Sequence, residues 1–344
     1  MTGYAKEPAV VHRGRPPGDL GMIVTLTANP SIDRTVHLSG PLERGAVQRA
    51  ESVISQAGGK GVNISRACVA ADIPSIAVLP AAKDDPYVLE LLAAGIDCRP
   101  VHHEGDLRVN ITITEPGGTT TKLNSPGPQV TPRLLHELTD ALVRRAAKAS
   151  WIVLAGSLPP GAPPEWYAEL VTALRAADGR VAVDTSDAPL KALVHSVSSG
   201  RGSAPHLMKP NGEELASFTG HRGDGLESDP HAAATAAMDL VATGVESVLV
   251  TLGPHGAVLV NADGAWHATP PPITVISTVG AGDSSLFGYL LGDVTGRDPE
   301  HRLALAVAYG SATAALPGTT IPSPEQVRPR LVHVTRLKLP ATEK

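Results

Sequence analysis

Trp151-Ile152-Val153-Leu154-Ala155 is an unbroken apolar run. A strand with one face in water alternates apolar and polar side chains, so a continuous run predicts a strand covered on both faces. Outward from it, Pro164 to Ala177 places Trp166, Leu170, Val171 and Leu174 at helical spacing. Arg180-Val181-Ala182-Val183-Asp184 is a second apolar strand, and His206-Leu207-Met208-Lys209 and Ser247-Val248-Leu249-Val250-Thr251 extend the series. This alternation predicts an α/β fold: a mostly parallel central sheet with helices on both faces.

Residues 33–54 and 104–124 break the pattern with short strands of mixed polarity. Leu107-Arg108-Val109-Asn110-Ile111-Thr112-Ile113 alternates with period two, as a half-exposed strand does, and Gly117-Gly118 suits a hairpin turn. These segments read as a small β lid over one edge of the sheet. Exposed strands of this kind pair with partners, which makes a homodimer through the lid an expectation. The domain is expected over 22–335, with a tail at 336–344. Residues 1–21, rich in Gly and Pro, read as a disordered leader or as sequence upstream of a start at Met22.

Composition narrows the function. The chain has 344 residues, a formal charge of −5 and no dense Lys/Arg block, which disfavours a nucleic-acid partner. No apolar run approaches a membrane span. Aromatics are 3% of the chain, so Ala, Val and Leu must fill the core. Cys68 and Cys98 are the only cysteines; they form neither a disulfide framework nor a zinc spacing, and a reducing cytoplasm is expected.

Four turns carry the chemistry. Gly58-Gly59-Lys60-Gly61-Val62-Asn63 opens a helix with Ile64, Ala67, Cys68 and Ala71 on one face. It is either a tight turn before a packed helix or a place where a ligand approaches backbone amides; it lacks the P-loop order. In Lys209-Pro210-Asn211-Gly212-Glu213-Glu214, the Asn211/Glu214 spacing is that of a capping box, or of groups near a phosphate-bound Mg²⁺. Thr251-Leu252-Gly253-Pro254-His255-Gly256 is a strand-turn-strand, or a backbone surface for nucleotide phosphates and ribose. In Ser277-Thr278-Val279-Gly280-Ala281-Gly282-Asp283-Ser284, Asp283 caps or charge-complements the start of the apolar helix that follows, or acts as a base beside an anion hole formed by the Gly280–Gly282 amides.

Taken together and in this order, the turns resemble the PfkB (ribokinase-like) carbohydrate kinase family over about residues 23–332. The resemblance also rests on Thr25-Leu26-Thr27-Ala28-Asn29-Pro30-Ser31-Ile32-Asp33, on Arg108-Val109-Asn110 and on Ala155-Gly156-Ser157-Leu158-Pro159-Pro160-Gly161. It is closest to the branch of 1-phosphofructokinases, minor 6-phosphofructokinases and tagatose-6-phosphate kinases. It implies phosphoryl transfer from ATP, with Mg²⁺, to a hydroxyl of a ketohexose phosphate. Asp283 would be the base, with Gly280, Ala281 and Gly282 as the anion hole. Lys209, Asn211, Thr251, Gly253 and Gly256 match nucleotide positions, and Glu214 matches the Mg²⁺ element, acting through water. Asp33, Gly59, Lys60, Gly61 and Asn63 match the sugar site, Ser157 a substrate contact, and Arg108 the arginine that holds the substrate's phosphate.

The sequence departs from the family in two places. Leu79-Pro80-Ala81-Ala82-Lys83-Asp84-Asp85 replaces a Gly-rich turn near the sugar. Ser277 and Val279 match the first half of a monovalent-cation (K⁺) loop, but Leu316-Pro317-Gly318-Thr319-Thr320 lacks the Asn and Arg of its second half. A kinase of an unphosphorylated sugar or nucleoside is the alternative of the same class. A non-catalytic regulator that binds nucleotide or sugar phosphate is the alternative of another.

Overall fold

The computed structural model describes residues 21–219 and 223–339. The expected leader, but for Gly21, and the end of the tail lie outside them. The chain runs β1 (Ile23–Thr27), β2 (Ser31–Leu38), β3 (Ala50–Gly58), α1 (Lys60–Ala70), β4 (Ser75–Pro80), α2 (Pro86–Ala93) and β5 (Asp97–Val101). It continues through β6 (Arg108–Thr114), β7 (Thr120–Leu123), α3 (Pro132–Ala146), β8 (Trp151–Ala155), α4 (Trp166–Ala176), β9 (Val181–Asp184), α5 (Asp187–Ser198) and β10 (Leu207–Met208). Then come α6 (Gly212–Thr219), α7 (Gly223–Leu226), α8 (Pro230–Ala242), β11 (Ser247–Thr251), β12 (Ala257–Asn261), β13 (Gly264–Thr269), α9 (Ala281–Val294), α10 (Pro299–Ala314) and β14 (His333–Leu337).

The main sheet has ten strands in the order β14-β13-β12-β11-β10-β9-β8-β1-β4-β5. Neighbours are parallel from β5 across to β11 and antiparallel from β11 out to β14. Every residue of β8 is buried, as its unbroken apolar run requires, and so is every residue of β1, Thr25 and Thr27 included. Alternate side chains serve opposite faces. Val24, Leu26, Ile152 and Leu154 pack with α3, α4 and α8, whereas Ile23, Trp151 and Val153 pack with α1, α9 and α10. Cys68 and Cys98 are both buried and free. No helix among the described residues is long and apolar enough to cross a membrane.

The expected lid is a separate four-stranded sheet, β3-β2-β6-β7. β2 pairs antiparallel with β3 and parallel with β6, and β6 and β7 form the hairpin around Gly117-Gly118. Two boundaries move. β3 runs on to Gly58 and so delivers the lid directly to the first residue before the Gly59 turn. β14 carries the main sheet past the expected domain end at 335 to Leu337, because its backbone pairs with β13.

Candidate active site

In a parallel sheet the loops leaving the carboxyl ends of the strands gather on one side, and ligands bind there. Asp184 ends β9, Lys209 follows β10, Gly156 follows β8 and Thr251 ends β11. The first turns of α1 and α9 reach the same place. Lys60 of α1 sets Nζ 2.9 Å from Asp184 Oδ1, and Lys209 sets Nζ 3.2 Å from Asp184 Oδ2. Asn63 of α1 donates Nδ2–H to Asp283 Oδ2 of α9 at 2.8 Å. The structure therefore brings Lys60, Asn63, Lys209 and Asp283 into one cluster, centred on an acid that sequence reading missed.

The two buried aspartates are tuned in opposite directions. Burial alone would raise the Asp184 carboxyl, but the Lys209 and Lys60 ammonium groups more than offset it and hold the group below the usual carboxylate range. Asp283 is 6% exposed and lacks such contacts. Burial pushes it up to about 6, with Lys60 pulling downward and the charge of Asp184 adding to the rise. Lys60 is itself held above its ordinary value: burial lowers it, but Asp184 and Asp283 outweigh that.

Gly280 adopts φ 78°, in the left-handed region that favours glycine, and α9 starts there with no side-chain cap. Ala281 N–H reaches Thr278 O at 3.3 Å, a long bond. The Gly280 and Gly282 amides have no backbone partner among the described residues. A β-carbon at Gly282 would stand 3.4 Å from Lys209 Nζ, so this turn lies close to a cation. Asp283 makes no capping hydrogen bond, since its side chain bonds Asn63, but it is the acid in the first turn of α9 and so still complements the charge of the helix start.

At α6 the capping alternative is realised. Asn211 N–H donates to Glu214 Oε2 at 2.8 Å and Glu214 N–H to Asn211 Oδ1 at 2.7 Å. This leaves Glu214 one carboxylate oxygen, half-buried; burial raises its pKa, and the Asp184 charge adds to that. No group of three or more His, Cys, Asp or Glu among the described residues could hold a metal ion by itself. An all-oxygen donor with one free atom fits a hard cation such as Mg²⁺ that keeps its waters and is held mainly by phosphates.

The other expected residues divide. Asp33 accepts from Ser31 Oγ at 2.9 Å and Asn110 Nδ2 at 3.1 Å, and a β-carbon at Gly58 would fall 2.1 Å from its Oδ2. Gly59 and Gly61 lie against Thr27, so close packing of α1 on β1 already requires them. Arg108 donates from Nη1 to Ser125 O at 3.3 Å, while its buried Nε has no partner. Ser157 is exposed and makes none of the cluster's contacts, although Gly156 beside it lies against the Lys60 stem. Asn211 bridges Thr251 in parallel fashion, which joins two of the turns. Gly253 faces open space; Gly256 does not, because a β-carbon there would meet Ala268 O of β13 at 1.9 Å. Packing alone therefore demands that glycine. The lid is tied to the last loop by Thr319 Oγ1, which donates to Gln56 Oε1 of β3 at 2.9 Å.

The profile of the pfkB family carbohydrate kinases matches residues 26–326. The chain belongs to the PfkB family. Among PfkB relatives, the 1-phosphofructokinase of Xanthomonas campestris pv. campestris is 37% identical over 292 residues, spanning 82% of this chain and 88% of that protein. The 1-phosphofructokinase of Haloferax volcanii is 33% identical over 316 residues, spanning 91% and 97%. The phosphofructokinase-2 of Escherichia coli, solved in complex with potassium, superposes with a TM-score of 0.80 at 26% identity, over 89% of this chain and 96% of that one. This PfkB protein is a carbohydrate kinase with the ribokinase-like fold.

Proposed function

We propose that this kinase transfers the γ-phosphoryl group of ATP to a free hydroxyl of a ketohexose phosphate, fructose 1-phosphate or fructose 6-phosphate. The observation that carries the reading is one helix start that combines a buried carboxylate, Asp283, with the unpartnered amides of Gly280 and Gly282. A pKa of about 6 keeps Asp283 ionised at neutral pH yet more basic than a solvated carboxylate. The Asp283 carboxylate takes the proton as the substrate oxygen bonds the γ-phosphorus and the bond to the ADP oxygen breaks. The Gly280 and Gly282 amides and the Lys209 ammonium stabilise the charge on the phosphoryl oxygens; the long Ala281 bond leaves that amide a lesser share. Mg²⁺, when bound near Glu214, neutralises the phosphate chain.

On the sugar side, Asp33, Gly59, Lys60, Gly61 and Asn63 line the acceptor, with Ser157 at its margin. The unpartnered Arg108 Nε favours a phosphorylated acceptor, because a half-buried guanidinium with a free donor suits a phosphate. Lys209, Asn211, Thr251 and Gly253 serve the nucleotide, with Gly256 supporting the turn. For potassium, Ser277 Oγ donates to Gly318 O at 3.1 Å, so the two loops that would hold the ion are adjacent. Closure of the lid would exclude water from the transfer.

An ADP-release assay over fructose 1-phosphate, fructose 6-phosphate, tagatose 6-phosphate, fructose, ribose and adenosine tests the reading. Highest kcat/KM is expected on a fructose phosphate. Turnover confined to unphosphorylated acceptors would overturn the phosphate assignment, and binding without turnover on any of them would favour a regulator.

A further inference from the structure

At the β5 edge of the main sheet lies a groove of about 530 Å³ whose lining includes none of the kinase-site residues. Lys83, from the turn before α2, Arg99 of β5, and Arg144 and Arg145 of α3 surround it, with Val88 and Leu92 of α2 as an apolar side. No carboxylate lines it. The volume is that of a small-molecule site. Four cations converge here from three separate segments, on a chain whose formal charge is −5.

Local acids offset only two of the four cations. Asp97 pairs with Arg99 at 3.0 Å, and Asp140 stands 3.9 Å from Arg144. Arg145 finds only the carbonyl of Ala141 in its own helix, and Lys83 has no ion pair among the described residues. Burial, then the charges of Arg144 and Arg99, push the Arg145 guanidinium below its ordinary value, the mark of a cation held near like charges. Leu92, 49% exposed, offers the carbon skeleton of a ligand a place to rest.

We propose that this groove binds a small polyanion: a metabolite carrying two or more phosphate or carboxylate groups, recognised by Lys83, Arg99, Arg144 and Arg145. The site is distinct from the kinase centre, but α2 joins them. Tyr87 O–H donates to Gly58 O at 2.7 Å, and Glu90 accepts from Ala57 N–H at 2.9 Å, both at the turn that enters α1. The ligand would sit one helix away from the sugar side of the active site.

Titration calorimetry of the full chain in Mg²⁺-free buffer, with inorganic pyrophosphate and separately with citrate, tests the proposal. Arg99→Glu and Arg144→Glu are the comparison variants, since both side chains are exposed and neither belongs to the kinase site. Saturable binding of either probe is expected, weakened about tenfold or more in each variant with ATP affinity unchanged. Loss confined to pyrophosphate identifies a phosphate ligand, and loss confined to citrate a polycarboxylate. No saturable binding, or isotherms that match wild type in both variants, overturns the site. The matched variants separate this result from pyrophosphate bound at the nucleotide site, which both would retain.

Discussion

Burial of Asp283 raises its basicity and also costs stability. Its folded pKa of about 6 lies above the roughly 3.9 of an unfolded aspartate, so the folded state prefers the proton. The favourable contribution is complete below the unfolded value and is lost as pH rises through about 6. Activity should run the other way, with an acidic limb in kcat/KM near pH 6 as the base protonates. Asp283→Asn is expected to lower kcat roughly 10²-fold or more while ATP still binds. Its Tm should exceed wild type at pH 7.5, with the gain shrinking toward pH 5. Near-normal turnover in this variant would remove Asp283 from the role. Asp184 has the opposite sign: its depressed pKa gives stability above the unfolded value that is lost as pH falls through the folded one. Asp184→Asn leaves Lys209, 5% exposed, without its counter-charge. A loss of about 3–5 kcal/mol is expected in urea unfolding at neutral pH, and an unchanged midpoint would sink the bridging role. The sequence hid Asp184 because an acid after Val181-Ala182-Val183 reads as the end of a strand. Its meaning comes from Lys60, 124 positions away, and no local pattern records that.

The lid shows where periodicity suffices and where it fails. Period-two alternation found β6, and every residue of that strand is half-buried, as befits a sheet that covers a cleft. Arg108→Ala should therefore raise KM for the sugar phosphate about tenfold or more and leave KM for ATP alone; Arg108→Lys should restore only part, since an ammonium lacks the fork. Equal effects on both substrates would count against phosphate recognition. The Asn211/Glu214 capping box was equally legible, because its spacing is local. Gly256 was not: its reason is the carbonyl of Ala268, on a strand whose pairing the sequence pattern does not announce. α9 gave little one-sided signal because it is buried nearly all round, under α10 and against the sheet.

Across the whole molecule, continuous apolar runs such as β8 and β11 revealed the parallel sheet, since burial on both faces leaves no polar alternation. β10, read at 206–209, keeps only Leu207 and Met208, and β5, which contains Pro100, gave no strand pattern. The outer strand β3 leaves Val53 54% and Ile54 58% exposed, and these residues are the expected seam of a homodimer. Sedimentation should give a dimer, and Val53→Glu with Ile54→Glu should give a monomer; a wild-type monomer would remove the lid seam.

The place of β1 in the sheet has a consequence during synthesis. Among the described residues Ile23–Thr27 is the first strand made, yet it lies between β4 and β8, and β8 begins only at Trp151. At roughly 5–20 residues per second, the ribosome needs roughly 6–25 s to deliver that second neighbour. Until then the nascent chain carries a strand that belongs wholly in the core with at least one edge open. A pause or truncation before residue 155 strands it there, so the first half of the chain needs a holding chaperone more than the second.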